Sequence, residues 1–370
     1  MNKEIYMDCR KIIKDFIKKE YWTSFSSADL FYIADGRSKA LFTFVEQFFG
    51  DAFGCQLFFT PSGFNYVHDI LTTNAEGTVS LADCDSLCAV LIPRNELKEE
   101  EIAFLRDNKF RVMESNNLLI YRFQPGTMQR LANDKETGIF LTYLEYLSSI
   151  IANEREDILE AFRKNDTVVA VMDREQMQYS VIYRPLPYLE TMPRRQRANA
   201  EFIQEFADCT YVNDECYCFA SYLPLIIKET KVRPLILYFY YPKMKRHYFK
   251  YIMDEPKEYK TLIFGILYDV FTEVGVPIKM FFNHRNIYAL VENTITAMHI
   301  EHCFIREENA VDSNMNDLIA KIYQQSNDEF IEEEDFGKLL MDTITKTLNE
   351  LSSYCLLYTS PSPRDMRRSR

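Results

Sequence analysis

The chain has 370 residues, of which 47% are hydrophobic and 26% are charged, and its formal net charge is −12. This balance excludes a disordered, collagen-like or low-complexity protein, and the length predicts two globular domains at about 100–200 residues each. Only 10 residues are glycine. That scarcity disfavours a glycine-rich phosphate loop, and the chain contains no nucleotide-binding, zinc-protease or serine-hydrolase motif.

The acidic balance and the lack of long apolar segments bear on partners and location. A negative net charge disfavours non-specific binding to nucleic acid or to an anionic membrane, because both require a positive field. The first residues contain no apolar signal-peptide core, and no uninterrupted apolar run reaches the roughly 18 residues of a membrane span. The scattered cysteines lack the spacing of a disulfide framework. We therefore expect a cytoplasmic protein with no membrane partner and no cofactor.

Helical and strand patterns alternate over residues 1–160. Apolar residues at helical spacing predict helices over 5–17, 64–71, 96–108 and 134–152. Asn95 is the predicted N-cap of the third helix. Apolar runs bounded by turn residues predict strands at 30–33, 41–45, 55–59, 87–92 and 118–123. Together these elements predict an N-terminal α+β domain, followed by a helix end and a connection at 153–166.

A second domain is predicted over residues 161–325. It begins with strands at 168–172 and 179–184 and a helix over 198–207, and continues with a hairpin at 210–220 whose turn is Asn213-Asp214. The later predicted strands are 235–241, 248–253, 278–282 and 300–305, and the later helices are 258–274, 286–298 and 312–323. Because helices connect several of these strands, the sheet must be at least partly parallel.

The end of this run resembles the RNase H-like core of integrases and transposases. A helix ends at Gly275, an apolar strand follows Pro277, and Asn283, His284 and Arg285 come directly after that strand. The resemblance implies a mixed-sheet RNase H-like α/β domain for residues 161–325. The fold class expected of the whole chain is therefore α+β.

Residues 21–323 are also similar, more broadly, to an uncharacterised conserved bacterial family of two-domain proteins of unknown function. The segments that carry this similarity are Tyr21-Trp22 before Leu30-Phe31, the stretch Phe44–Gly54, and the runs PLILYFYY and VGVPIKMFF. The similarity implies a bacterial protein, but it implies no activity.

The catalytic form of the RNase H-like core holds Mg²⁺ or Mn²⁺ between two or three carboxylates. If residues 235–241 are the first strand of the core, that strand contains no Asp or Glu. Asn283 stands where the resemblance implies a second acid, and Asp312 and Asp317 are the candidates for a third. The sequence therefore predicts a catalytically degenerate core with no catalytic residue and no metal site.

Basic residues supply the candidate binding site. The densest basic cluster before the C-terminus contains Arg194, Arg195 and Arg197. Guanidinium groups can bind a phosphate or an acidic partner by bidentate contacts. The alternative is a solvated loop before a helix. These arginines, together with the segment of Asn283, His284 and Arg285, are the predicted binding residues.

Two further patterns each allow two interpretations. Cys209, Cys216 and Cys218, together with His299, His302 and Cys303, offer soft zinc ligands. The spacing of the first three lacks a zinc knuckle, and the alternation at 216 and 218 also fits one face of a strand. The Tyr- and Phe-rich stretches 238–241 and 248–251 either stack on nucleic-acid bases or pack in a core. For both patterns the packing interpretation is favoured.

The C-terminal part of the chain has an unusual composition. Residues 326–354 combine an acidic run with an amphipathic helix over 336–351. Residues 355–370, CLLYTSPSPRDMRRSR, are similar to the translation of a sequencing-library adapter, so we expect a non-native tail there and a natural C-terminus beyond Tyr354. Because that tail contains four arginines and one aspartate, the rest of the chain is more acidic than the whole.

These observations lead to one preferred function and two alternatives. We expect a non-catalytic cytoplasmic protein that acts by interaction or regulation, with a protein as its partner. One alternative is a divalent-metal-dependent nuclease or transposase-like enzyme whose acids come from unexpected positions. The other is a nucleic-acid binder without catalysis, which the acidic net charge disfavours.

Overall fold

A computed structural model describes residues 2–26, 28–45, 54–72, 84–173, 178–305, 319–322 and 330–351. Backbone contacts divide the chain into two compact units, Met1–Gln124 with Gln129–Thr191 and Pro125–Met128 with Met192–Arg370. Both units contain helices and sheets, so the protein is α+β, as the sequence predicts. The expected tail 355–370 lies outside the described residues. Within the described ranges, no helix has both the length and the apolar composition of a membrane span.

The first unit is built on an eight-stranded sheet in the order β6-β5-β4-β3-β2-β1-β7-β8. Its helices are α1 (Lys3–Lys18), α2 (Tyr21–Ser24), α3 (Pro61–Thr72), α4 (Glu99–Asp107) and α5 (Asp134–Arg163). Its strands are β1 (Phe31–Ala34), β2 (Lys39–Val45), β3 (Gly54–Phe58), β4 (Ser86–Ile92), β5 (Asn117–Phe123), β6 (Arg130–Leu131), β7 (Thr167–Asp173) and β8 (Gln178–Arg184). The pair β1–β7 is parallel, and the other neighbours in this order are antiparallel.

The core of the first unit lies between the sheet and the helices α1 and α5. Apolar residues repeat at helical spacing along both helices, so that each presents one buried stripe. Phe16 on α1 and Phe140 on α5 are fully buried, and Phe140 packs against Phe42 of β2 at a ring-centroid distance of 6.0 Å. Burial of one such side chain stabilises the fold by about 1.5–3 kcal/mol. The periodic pattern therefore suffices to place these helices on the sheet.

Three predictions for the first unit are wrong. Helix α5 does not end at residue 152 but continues through a kink at Glu154 to Arg163, because Ile158 and Ala161 extend its buried stripe. Helix α4 begins after Lys98 rather than Asn95, which lies in a 3-10 turn. The boundary expected at residue 160 also separates β7 from its partner, since Val168 of β7 pairs with Phe31 of β1.

The second unit is built on a five-stranded sheet in the order β12-β11-β9-β13-β14, beside a two-stranded sheet of β10 and β15. Its helices are α6 (Ala200–Glu205), α7 (Tyr259–Val274), α8 (Arg285–Ala297) and α9 (Glu333–Leu351). Its strands are β9 (Tyr211–Tyr222), β10 (Ile226–Ile227), β11 (Leu235–Tyr241), β12 (Arg246–Ile252), β13 (Val276–Phe282), β14 (Glu301–Phe304) and β15 (Phe330–Ile331).

Strand directions make this five-stranded sheet mixed. The pairs β9–β11 and β11–β12 are antiparallel, whereas β13 is parallel to both β9 and β14. Helix α8 forms the crossover between β13 and β14, as parallel neighbours require. The hairpin predicted at 210–220 is wrong, because these residues lie in the single strand β9 with no turn at Asn213-Asp214.

Helices lie on both faces of this sheet. The helix α8 reaches one face, where Tyr288 packs against Phe282 of β13 at a centroid distance of 5.5 Å. Helix α9 lies on the opposite face, where Phe336 and Leu340 join the buried cluster that contains Phe219 of β9. The predicted C-terminal helix is therefore confirmed, with an earlier start at Glu333.

Candidate functional site

The segment of Asn283, His284 and Arg285 lies between β13 and α8, where the sequence places a candidate site. Phe282 pairs with Cys218 of the parallel strand β9, so Asn283 stands beside the next residues of β9. The Oδ1 atom of Asn283 accepts a hydrogen bond of 2.8 Å from the backbone N–H of Ala220. The amide that replaces the expected acid is therefore used to hold the end of β13 against β9.

Aromatic rings surround the two residues that follow Asn283. The ring of Tyr222 meets the imidazole of His284 edge to face, with 5.6 Å between centroids. The guanidinium of Arg285 lies 5.1 Å from the ring centroid of Phe304 on β14, which is a cation–π distance. His284 and Arg285, both predicted binding residues, thus contact aromatic rings of the second unit.

The acids of β9 lie at the other end of the strand. Asp214 is buried, and its Oδ1 and Oδ2 atoms accept hydrogen bonds of 3.2 and 3.0 Å from the backbone N–H groups of Lys243 and Met244. These two residues form the turn between β11 and β12. Asp214 therefore anchors that turn, and Glu215 follows it at the same end of β9.

This placement corrects the assignment of the first strand of the core. Residues 235–241 are the expected first strand, but the strand next to β13 is β9, which does carry acids. These acids lie near the beginning of β9. Asn283, in contrast, directly follows Phe282, the residue of β13 that pairs with Cys218 further along β9. Beside Asn283, β9 carries Cys218, Phe219 and Ala220, none of which is acidic.

The residues present do not fit a divalent-metal pair. The amide oxygen of Asn283 already accepts a hydrogen bond from the N–H of Ala220. No carboxylate of β9 lies at the register positions beside Asn283. Over the part of the chain that the structure describes, no group of three His, Cys, Asp or Glu side chains is placed to hold a metal ion. Asp312 and Asp317, the remaining candidate acids, lie outside the described residues.

The basic cluster is attached to helix α8. The Nε atom of Arg195 lies 2.6 Å from the Oε2 atom of Glu292, whose side chain is only 7% exposed. Beside it, the N–H of Gln196 donates to the carbonyl of Ala289 at 3.0 Å, and the amide of Asn293 donates to the Gln196 carbonyl at 2.6 Å. Arg195 thus holds this segment on α8, about two turns beyond Arg285. The side chains of Arg194 and Arg197 are exposed, and their role in binding stays a prediction.

Glu292 also belongs to a polar network that the sequence analysis missed. Tyr288 donates to Glu292 at 3.2 Å and lies 3.1 Å from Nδ1 of His302, whose Nε2 is 2.8 Å from the hydroxyl of Thr296. Burial, together with the nearby Glu292 carboxylate, raises the pKa of Tyr288 to about 12. The spacing of Tyr288, Glu292 and Thr296 at i, i+4 and i+8 is the sequence signal that could have shown this polar stripe.

The cysteines of β9 are packing residues. Cys216 and Cys218 are buried on one face of the strand, as their alternation predicts. Burial raises the pKa of both thiols well above the ordinary range, which disfavours the thiolate that a metal needs. Cys209 is exposed in the loop before β9.

Four rings form a row across the face of the sheet that carries α9. His247 of β12, Tyr240 of β11, Tyr217 of β9 and Phe281 of β13 are successive register partners. Adjacent ring centroids along this series are 4.6, 6.4 and 4.5 Å apart. All four side chains are half-buried. We call these four residues the aromatic row.

The neighbouring row on the same face is buried. Phe249, Tyr238 and Phe219 pair across β12, β11 and β9, and they belong to the cluster that Phe336 and Leu340 of α9 complete. Tyr238 also joins the two rows, since its hydroxyl lies 2.6 Å from Nδ1 of His247. Among the tyrosines that the sequence left undecided, Tyr238, Tyr241 and Tyr248 are therefore core residues, whereas Tyr240 is half-buried and packs against the buried cluster.

Charged residues border the aromatic row on its other side. Glu215, Lys279 and Glu301 are register partners across β9, β13 and β14. The ammonium of Lys279 lies 3.9 Å from Glu301 and 5.0 Å from the ring centroid of Phe281. The row thus has an acidic and basic rim on one side and the buried cluster under α9 on the other.

The second unit resembles an RNase H-like α/β domain in its strand order and in the α8 crossover. In the first unit, residues 7–171 match a family described as a domain of unknown function, DUF7309. That match ends inside β7, which belongs to the first sheet.

Solved structures similar to this chain include retroviral integrases. The catalytic core domain of HTLV-2 integrase in complex with magnesium aligns in its trimeric form over 38% of this chain and 85% of that chain, at 11% identity and a TM-score of 0.26. Its dimeric form aligns over 41% and 94%, at 11% identity and a TM-score of 0.27. A simian T-cell lymphotropic virus intasome in complex with PP2A regulatory subunit B56 gamma aligns over 40% and 51%, at 14% identity and a TM-score of 0.25. No curated protein sequence matches this chain.

Proposed function

We propose that this protein acts by binding a protein partner at the aromatic row, and that its second unit is not catalytic. The observation that carries the proposal is the row itself: four half-buried rings in register across four strands. Aromatic side chains are enriched at the centres of protein interfaces, and a charged rim commonly surrounds them. The row and its border of Glu215, Lys279 and Glu301 have this arrangement.

The geometry of the rings favours a protein over nucleic acid as the partner. Tyr217 and Phe281 are stacked with their planes 15° apart, and Tyr240 and His247 with theirs 23° apart. Within each pair, centroids 4.5 and 4.6 Å apart leave no room for an inserted base. Since the facing ring surfaces within each pair are already in contact, those surfaces are closed to a base. Base binding needs open ring faces, whereas apolar side chains of a protein also pack against ring edges.

The site beside Asn283 supports the non-catalytic half of the proposal. Its amide oxygen is engaged by Ala220, and the acids of β9 are at the far end of the strand, where Asp214 holds the turn between β11 and β12. Two-metal cleavage needs converging carboxylates. For the nuclease or transposase-like alternative, the described residues contain no group of three or more metal-ligating side chains placed together.

We also propose that the protein is located in the cytoplasm. Eight cysteines of the chain, from Cys9 to Cys303, are free thiols, and several are deeply buried. Proteins of oxidising compartments commonly use such residues in disulfides. Free thiols therefore favour a reducing environment.

Site-specific photocrosslinking tests the binding surface. A photoreactive benzoyl-phenylalanine replaces Tyr217 or Tyr240 in the full chain, which is then irradiated in nuclease-treated and untreated lysate of the source cells. The matched controls carry the same group at Ile278 of β13 or at Tyr268 of α7, which are 42% and 41% exposed. We expect one protein adduct from the row positions that survives nuclease and is missing from both controls.

Three results would contradict the proposal. An adduct at the row that disappears with nuclease would identify nucleic acid as the partner, and equal labelling at all four positions would mean that the row is not a binding surface. Cleavage of DNA or RNA by the purified chain with Mg²⁺ or Mn²⁺ would refute the non-catalytic assignment. We expect no cleavage with either metal.

A further inference from the structure

The two edges of the first sheet differ in a way that points to a second interaction. At one edge, β6 has only two residues, Arg130–Leu131, and so short a strand offers little backbone to another chain. At the other edge, β8 runs over seven residues in unbroken register with β7. Natural proteins protect long edge strands with proline, lysine, a bulge or a covering segment. The sequence of β8, QYSVIYR, contains neither proline nor lysine, and its pairing has no bulge.

One face of β8 is open to solvent as well. Its residues alternate between exposed and half-buried, and among the described residues β8 pairs only with β7. Ile182 is 46% exposed and Val171 of β7 is 50% exposed. Ile182 pairs with Val169, so Val171 is its diagonal neighbour on the same face of the sheet. An apolar pair therefore lies directly beside the open edge.

We propose that β8 pairs antiparallel with β8 of a second copy of this chain, about a two-fold axis at Val181, so that two eight-stranded sheets become one. The pairing concerns the first unit alone and does not depend on the function proposed for the aromatic row. In this register, Ser180 stands opposite Ile182 of the second copy, and Tyr179 stands opposite Tyr183. Gln178 stands opposite Arg184.

The strand matches itself in this register, as a two-fold contact requires. Opposite residues of antiparallel strands lie on the same face, so the exposed residues of one copy meet exposed residues of the other. No like charges face each other, because Arg184 is the one charged residue of β8 and stands opposite Gln178. The two Ile182 side chains become diagonal neighbours across the axis, which brings the two apolar pairs together.

Charge complementarity adds to this match. Gln178 pairs with Asp173 of β7. Asp173 is therefore one strand further than Gln178 from the second copy. Neighbouring strands are about 4.8 Å apart, so Arg184 of one copy and Asp173 of the other are separated by about 10 Å between Cα atoms. A long arginine side chain reaches across that distance on the shared face. The two-fold axis repeats this attraction at both ends of the paired strands.

The mass of the full chain in solution tests the proposal. Light scattering and sedimentation equilibrium over roughly a hundredfold range of protein concentration should give twice the chain mass of 43.8 kDa, with dissociation on dilution. Ser180→Lys combined with Ile182→Lys places two lysines opposite each other at both sides of the axis. We expect this double variant to weaken the dimer at least about tenfold.

A second double variant, with opposite charges at the same two positions, tests the register. Ser180→Glu combined with Ile182→Lys places opposite charges across the same axis and should keep the dimer. Ile70→Lys combined with Leu71→Lys removes exposed apolar residues from α3 of the same unit and should leave the dimer unchanged. A wild-type chain that is monomeric at every concentration overturns the proposal. A dimer that survives the two lysines, or one that both β8 double variants weaken equally, overturns this register.

Discussion

The backbone N–H of Ala220 donates a hydrogen bond of 2.8 Å to the Oδ1 atom of Asn283. This bond joins β9 to the end of β13, at the position where the sequence pattern leads to the expectation of an acid. The same bond makes a direct prediction about stability.

Asn283→Ala should lower the free energy of unfolding by about 1–3 kcal/mol, because the N–H of Ala220 loses its acceptor. Asn283→Asp keeps an acceptor at the same place and should cost less than half as much. Urea unfolding of both variants measures the difference. Equal losses for the two substitutions would show that the hydrogen bond is not what Asn283 contributes.

Arg195→Ala should lower the free energy of unfolding by about 1–2 kcal/mol. The substitution leaves the buried carboxylate of Glu292 without its cation, although the guanidinium is 66% exposed, so the loss is smaller than for a fully buried pair. Arg197→Ala is the matched control and should cost less than about 0.5 kcal/mol. If Arg195→Ala unfolds like the wild type, the arginine does not hold its segment on α8.

Two glycine substitutions should act in opposite directions. A Cβ atom at Gly63 would overlap the backbone oxygen of Asp85, whose carboxylate is fixed by Thr60 and Arg122. Gly63→Ala should therefore destabilise the first unit by about 1–3 kcal/mol. Gly265 lies on the exposed side of α7 with open space around it, and Gly265→Ala should stabilise by about 0.5–1 kcal/mol. Thermal unfolding distinguishes the two, and a destabilising Gly265→Ala would contradict the open space at that position.

His247 should make stability depend on pH. Burial lowers the pKa of its imidazole below the ordinary value. As pH falls from about 7, the unfolded chain therefore binds a proton near pH 6.5 while the folded ring stays neutral, and stability decreases until the pH passes below the folded pKa. His247→Phe removes this loss and should flatten the stability profile over the interval below about pH 7. Urea unfolding across that interval measures it, and parallel profiles for wild type and variant would contradict the prediction.

The local sequence pattern was enough to predict most helices and strands of both units. The spacing of Ile13 and Phe16 predicted α1, and the apolar run 235–241 predicted β11 with its observed bounds. Gly275 has a φ of 110°, which glycine adopts readily, so the end of α7 could also be located. Such signals come from residues close together in the chain. They identify an element without identifying its neighbours.

The candidate site shows where local pattern fails. Asn213-Asp214 has the composition of a turn, yet Asp214 lies in β9 because its carboxylate accepts the N–H groups of Lys243 and Met244, about thirty residues away. The aromatic row is likewise built from four strands, and sequence reasoning could name its tyrosines but not separate Tyr240 from the buried Tyr238. Register between distant strands decides both cases.

The sequence by itself thus determined the α+β class, the position of most helices and strands, and the amide in place of an acid at residue 283. Tertiary structure alone decided that β7 joins β1, that Arg195 pairs with Glu292, and that four half-buried rings align on one face. The physical reason is the range of the forces involved. Periodicity and capping act within a few residues, whereas strand pairing and burial join residues whose separation in the chain carries no local signal.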